Sequence, residues 1–263
     1  MPSPTVNRFH ATTVVAALLC LLAVALDNTV LLAVVAVVYL AVVGFGVAVP
    51  QLRFFGPYLC RGNPGRKSVA LTFDDGPDPR STPALLDLLR ERDVEAAFFC
   101  IGKHMDAAPL LTARIAHEGH LLGNHTYTHN SSMNFFTEAR LRDELHRTQG
   151  AIEEAAGVVN EWFRPPVGLT NPRVFRAAQA YRLKVVGWTV RSLDTRLNDP
   201  RRIVDRIVRR LKPGAIILLH DGKIPAERLV ATVKLLLDTL RTLGYEVIRL
   251  DRMLSGNSGN IEH

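Results

Sequence analysis

Two adjacent carboxylates, Asp74 and Asp75, close a short apolar run and precede Gly76-Pro77. Two charges set side by side there need a cation, either a metal ion or an arginine. Asp-Gly-Pro is equally ordinary turn chemistry, so the pair alone leaves both readings open. Further on, His125 and His129 stand four residues apart. On a helical turn that spacing puts two imidazoles on one side, within reach of one ion. Two His, one carboxylate and an open position make one form of hydrolytic zinc site. Arg164, ahead of Pro165-Pro166, is a fixed cation on a stiff turn. His220 and Asp221 end the apolar run 216–219. Taken singly, Arg164 reads as a surface arginine and His220 as a satisfied core histidine. Beside paired carboxylates and a His pair, the same residues make the parts of a metal-assisted hydrolase.

The chain around these residues must gather them. Beyond residue 67, short apolar runs fall at 69–73, 96–101, 120–123, 161–164, 184–188, 215–219 and 245–250. Between them lie amphipathic stretches at 83–92, 108–118, 137–156, 172–182, 200–211 and 228–243. Each keeps apolar residues at three- and four-residue spacing, and several open on Pro or Thr and close near Gly. Strands alternating with helices predict a parallel sheet. Over this length the pattern suits an incomplete or distorted β/α barrel, with an open doubly wound sheet as the alternative. In a barrel, residues that follow strands collect at one end. Asp74 and Asp75 follow the first run, His125 and His129 the third and Arg164 the fourth; Asp194 follows the fifth and His220 the sixth.

The first fifty residues have a different composition. From Ala11 to Val49 the sole charged residue is Asp27. A membrane span needs about 20 apolar residues, and this block is about twice that, broken at Asp27-Asn28. It predicts a transmembrane helical hairpin, roughly 10–26 and 30–49, that holds the chain to a lipid bilayer. A single span behind an interfacial helix is the alternative. A signal peptide lacks its basic start and its small-residue cleavage site. The expected plan is a membrane anchor over 1–50, a linker over 51–67, a globular domain over 68–254 and a flexible tail over 255–263. Arg8, Arg53, Arg61, Arg66 and Lys67 flank the spans, and the positive-inside rule would place the domain in the cytoplasm. Basic residues of a large domain count for little in that rule, so the face of a bacterial inner or cytoplasmic membrane that carries the domain stays open. The net charge of +7 suits anionic headgroups or acidic wall polymers, and equally plain solubility. No basic block interleaved with aromatics points to nucleic acid. Three cysteines make no disulfide framework, although Cys60 and Cys100 could pair.

On these residues the stretch 68–250 resembles the polysaccharide deacetylases. That carbohydrate esterase group includes chitin, peptidoglycan and chitooligosaccharide deacetylases. The matching motifs are Thr72-Phe73-Asp74-Asp75-Gly76-Pro77, His125-Thr126-Tyr127-Thr128-His129, Arg164-Pro165-Pro166-Val167-Gly168 and Ile216-Ile217-Leu218-Leu219-His220-Asp221. The resemblance implies an irregular (β/α)7 barrel that removes N-acetyl groups from amino sugars of a glycan, either a wall or chitin-like polymer or a lipid-linked saccharide. It implies one divalent ion, zinc or cobalt, on Asp75, His125 and His129. Asp74 would be the general base, Arg164 its partner, His220 the general acid and Asp194 the residue orienting His220. The backbone N–H of Val167 would serve the oxyanion, and Leu218 would line the acyl pocket. Val167 and Thr195 stand where the group commonly has aromatics, and Arg191 where an Asp is common. The wider pocket admits a deformylase or an O-acetyl esterase as alternatives, and a non-catalytic glycan-binding module is the remaining one.

Overall fold

A computed structural model of the chain describes residues 8–255. Two long apolar helices come first, α1 (Arg8–Ala25) and α2 (Thr29–Ala48). Asn28 caps the second by accepting from the Leu31 N–H at 2.9 Å. Both are long and apolar enough to cross a membrane, and their side chains are largely exposed. They pack on each other, with Thr13 Oγ1 and the Tyr39 hydroxyl 3.1 Å apart.

The remainder is a curled parallel sheet wrapped by helices. In chain order the elements are β1 (Ser68–Asp74), α3 (Thr82–Glu91), β2 (Ala97–Cys100), α4 (Gly102–Ala107), α5 (Pro109–His117) and β3 (Leu121–Asn124). Then come α6 (Glu138–Ala156), β4 (Trp162–Phe163), α7 (Pro172–Ala180), β5 (Lys184–Val185), β6 (Val190–Arg191) and α8 (Pro200–Val208). The chain closes with β7 (Ala215–His220), α9 (Ala226–Thr242), β8 (Glu246–Val247) and α10 (Leu250–Ser255). The strand order is β5-β4-β3-β2-β1-β7-β6, every pair is parallel, and β8 lies beside the start of β1. This is the irregular β/α barrel that the alternation predicts, with an eighth short strand, β6, that the apolar runs do not announce.

Residues alternate across each strand. Val69, Leu71 and Phe73 of β1 and Ala215, Ile217 and Leu219 of β7 join the layer under the helices. Ala70, Ala97, Phe99 and Ile216 belong to a separate inner cluster. The same period puts Thr72, Asp74, Leu218 and His220 on the inner side. Asp74 therefore ends β1 pointing into the barrel rather than toward a helix.

The segment 51–67, expected to be a free linker, is built into the fold. Phe54, Phe55, Tyr58 and Cys60 are buried. The Leu59 N–H donates to the Val185 carbonyl (2.9 Å), Gly187 N–H to Leu59 (2.8 Å) and Gly62 N–H to Gly214 (2.8 Å). This strap lies where the sheet fails to close between its end strands β5 and β6, bridging β5 to the start of β7, and it satisfies backbone groups that an open edge would leave bare. An extended tether is thus corrected to a seam filler. Cys60 and Cys100 do not pair; both are free. The expected tail over 255–263 begins at the last residue of α10, and 256–263 lie outside the described residues.

Candidate active site

Asp74 and Asp75 sit at the mouth of the barrel, nearly inaccessible. Arg164, fully buried, donates through Nη1 to Asp74 Oδ1 at 2.7 Å and to Thr72 Oγ1 at 2.8 Å. Its Nη2 donates to the Gly187 carbonyl at 2.9 Å, and its guanidinium lies 4.1 Å from the centre of the Phe99 ring. Four fixed contacts leave this arginine one orientation, and its charge makes the buried Asp74 carboxylate tolerable. The sequence-level requirement for a cation is met by Arg164 for Asp74.

For Asp75 it is met differently. Its Oδ1 stands 3.1 Å from His129 Nε2 and 3.7 Å from His125 Nε2. One ligand atom from each of these three residues lies within 4.8 Å of the others. His125 Nδ1 is 2.7 Å from the Arg164 carbonyl, which can only accept, so Nδ1 carries the proton and Nε2 offers its lone pair. Asp75 Oδ1 has no hydrogen-bond donor although it is buried. An orphaned carboxylate oxygen beside two imidazole nitrogens is a donor set that could hold a divalent ion. Lys223 Nζ takes the other oxygen, Oδ2, at 3.1 Å. Burial would raise the Asp75 carboxyl, but the positive potential of His125, His129, His220 and Lys223 outweighs it and holds the group below the usual carboxylate range. Burial, followed by the neighbouring His125, pushes His129 down to about 4, against the pull of Asp75. Its ring is neutral at physiological pH, the form that binds metal.

The two histidines are not on a helical turn. Residues 125–130 form an irregular loop in which Thr126 (φ 65°) and His129 (φ 51°) are left-handed. The rings still meet, centroids 4.8 Å apart. Glu144 of α6 holds the loop, accepting from Tyr127 N–H (3.0 Å), Thr128 N–H (2.8 Å) and Thr128 Oγ1 (2.7 Å).

His220 ends β7, and its Nδ1 lies 2.8 Å from Asp194 Oδ1. The other Asp194 oxygen accepts from the His220 N–H at 2.8 Å, and the Ser192 hydroxyl donates to Oδ1 at 2.8 Å. Asp194 follows β6, not the fifth strand, so it arrives from the strand adjacent to β7. Burial lowers His220, but the Asp194 hydrogen bond and charge more than offset it, aided by Asp74 and Asp75, and the imidazole is raised above its ordinary value. Leu218 is buried on β7. Val167 sits half exposed in the turn Pro166–Gly168 with φ 60°. Gly168 follows at φ 76°, its missing side chain leaving room for the Trp188 ring.

The nine expected residues therefore lie on loops or strand ends at one end of the barrel. Among the described residues, ten non-glycine residues have positive φ, and six of them (Asp75, Thr126, His129, Val167, Leu193 and Lys223) are at this end. Backbone strain gathered in one place marks a functional site. Three residues escaped the sequence reading, Lys223, Glu144 and Ser192, and Asp221 enters it without a role. Burial pushes Asp221 up to about 7, and it holds the loop after Asp75 by accepting from Thr82 at 2.6 Å and, through its carbonyl, from Ser81.

The chain is similar to known proteins of one family. Residues 61–186 match the polysaccharide deacetylase family model. A chitooligosaccharide deacetylase of Bradyrhizobium sp. (strain ANU 289) is 37% identical over 72% of this chain and 86% of its own length. The crystal structure of a peptidoglycan N-acetylglucosamine deacetylase superposes with a TM-score of 0.72 at 30% identity, covering 75% of this chain and 92% of that one. A pseudoenzyme of carbohydrate esterase family 4 from Bacillus anthracis superposes with a TM-score of 0.69 at 28% identity, over 74% and 68% of the two chains. With its barrel, its strand-end motifs and an extensive match to relatives, the chain belongs to the polysaccharide deacetylase family.

Proposed function

We propose that this protein removes an N-acyl group, acetyl in the first instance, from an amino sugar of a glycan, using a divalent ion on Asp75, His125 and His129. The observation that carries the reading is the buried, undonated Oδ1 of Asp75 beside the Nε2 atoms of His125 and His129. An ion bound there would polarise the amide carbonyl and acidify a water. Asp74, ionised and aimed by Arg164, takes the proton from the attacking water as general base. His220, held by Asp194, gives a proton to the amine, which leaves poorly without one. The Val167 N–H is the backbone donor for the oxyanion, and Leu218 lines the acyl pocket. Zinc or cobalt suits this His/carboxylate set. All seven side chains proposed to hold the ion or move protons are present, which favours catalysis over a binding-only role.

A second reading concerns the acyl group. Val167 and Thr195 are exposed and aliphatic or small, where the family resemblance implies rings. An open pocket would take formyl, or an O-acetyl ester, as readily. The sugar is presented at a membrane: α1 and α2 serve as an anchor, and the glycan is a wall strand close to the bilayer or a lipid-linked saccharide. Their hairpin leaves Arg8 and the barrel on one face of the membrane.

The test is acetate release from N-acetylated chito-oligomers with and without added zinc or cobalt, run beside Asp74→Asn and His125→Ala. Asp74→Asn is expected to lower kcat by about 10²–10⁴-fold while the protein still binds one ion per chain. His125→Ala is expected to lose ion binding and activity together. A folded protein that binds no ion would end the metal mechanism. One that binds an ion and leaves these oligomers intact, yet releases formate from N-formylated sugars or acetate from O-acetylated ones, would replace the acetyl amide with the second reading.

A further inference from the structure

Outside α1 and α2, four large apolar side chains stand most clear of the protein: Leu110, Phe135, Val159 and Val167. Three of them belong to the catalytic end, in the first turn of α5 and in the loops after β3 and β4. Val159 is at the opposite end, in the loop before β4. Phe135 is 84% exposed, yet it is not at a loose tip. Its neighbours Met133 and Phe136 are buried in a core cluster shared with Tyr58 and Cys60 of the strap. The Asn134 carbonyl accepts from Asn171 Nδ2 (2.9 Å) and Arg173 Nη2 (3.2 Å), which fastens the turn to the start of α7. A phenyl ring held outward on a rigid turn marks a contact surface.

The anchor arrives at the same rim. Phe54 fills the space left by Gly46 of α2, packs edge-to-face on Phe9 of α1 (ring centres 6.0 Å apart) and on Phe55 (5.0 Å), and its carbonyl accepts from the Phe9 N–H at 3.1 Å. Two residues later Gly56 lies under Phe175 of α7, so closely that an added Cβ would come within 2.8 Å of the ring. The apolar hairpin thus joins the barrel through packed aromatics, beside α7 and the Phe135 turn. Arg53, Arg140 and Arg173 surround this area, with the Arg140 guanidinium 3.6 Å from the centre of the Phe136 ring.

We infer that the catalytic rim carrying Phe135 and Val167 lies on the bilayer surface that receives α1 and α2, so that the site opens along the headgroup layer. The inference rests on α1 and α2 being a membrane anchor, and it commits to a lipid surface as the occupant of the exposed rim. An apolar ring flanked by arginines suits insertion at the headgroup boundary of an anionic bilayer. Val158 and Val159, at the far end, remain in water.

The test uses the full chain in nanodiscs of phosphatidylcholine and phosphatidylglycerol. A nitroxide is placed in turn at Phe135→Cys, Val34→Cys in α2 and Val159→Cys, all on a Cys20→Ala background, Cys60 and Cys100 being buried. Collisions with oxygen, which concentrates in lipid, are compared with those of a water-soluble nickel chelate. The expected oxygen-to-nickel ratio at 135 is several-fold above that at 159 and approaches that at 34. A lipid-like ratio at 34 with a water-like ratio at 135 overturns the rim contact and leaves the anchor standing. A water-like ratio at 34 removes the anchor, and the rim contact with it. A lipid-like ratio at 159 and a water-like one at 135 would mean that the barrel sits the other way up.

Discussion

At the scale of single residues, the pair His220–Asp194 carries a pH dependence with a definite sign. The imidazole is raised because the Asp194 contact outweighs burial. As a general acid it is competent when protonated, so activity falls as pH rises through its folded pKa. Asp194→Asn keeps the shape but removes the charge, leaving burial to dominate. The alkaline limb of the kcat profile should then move to lower pH, with kcat down about 10²-fold; an unmoved limb would mean that another group sets it. The stability linked to this pair follows the same sign: present in acid, lost as pH rises through the raised pKa. Val167 gives a second expectation. A β-branched residue at φ 60° is strained by about 1–2 kcal/mol. Val167→Gly should raise the stability by about 1 kcal/mol in a denaturant titration, while keeping the backbone N–H. Asp74, Asp75, Arg164 and His220 stand out in the sequence only as a set at the ends of successive apolar runs, since each alone reads as turn chemistry, a surface arginine or a core histidine. Lys223 was not, since a lysine in a turn after a strand looks like any surface lysine until its 3.1 Å contact with Asp75 Oδ2 is seen.

At the scale of elements, the helix periods of α3 and α5–α9 were readable, while α4 and β6 were not. Strand β6 pairs through two residues, too few for a period-two pattern. The His125–His129 loop misled for another reason: four-residue spacing suggests a helical turn, but two left-handed residues bring the rings together instead. What holds that loop was visible in principle. Leu141, Glu144, Leu145 and Thr148 share one buried face of α6, and a carboxylate in an apolar stripe calls for buried donors. Glu144 finds three in the loop. Glu144→Ala strands two backbone N–H groups and should cost about 1–3 kcal/mol, with ion affinity down about 10–100-fold by zinc titration. Glu144→Gln, which keeps one acceptor oxygen, should recover part of both. Equal ion affinity in all three proteins would assign Glu144 to stability alone.

At the scale of the whole molecule, composition separates anchor from barrel at about residue 50, yet the physical boundary lies elsewhere. The stretch 51–67 reads as a linker because it is rich in Gly, Pro and Arg and lacks periodicity. Its burial depends on the gap between the end strands β5 and β6 that only the folded sheet creates. Tyr58 fills that gap: its hydroxyl donates to the Gly168 carbonyl at 3.2 Å, and its ring lies on Gly187, whose carbonyl in turn holds Arg164. Anchor, seam and the turn bearing Val167 are thus one connected structure. A chain beginning at residue 51 keeps the strap and should fold and turn over a soluble substrate. A chain beginning at residue 63 loses the Tyr58 ring and three backbone hydrogen bonds, together about 5 kcal/mol. Its Tm should fall by about 10–20 °C relative to the longer form, with activity lost disproportionately because Gly168 and Arg164 lose their support. Equal Tm and equal kcat for the two truncations would make the strap a passive tether after all, and would return the boundary of the catalytic domain to residue 68.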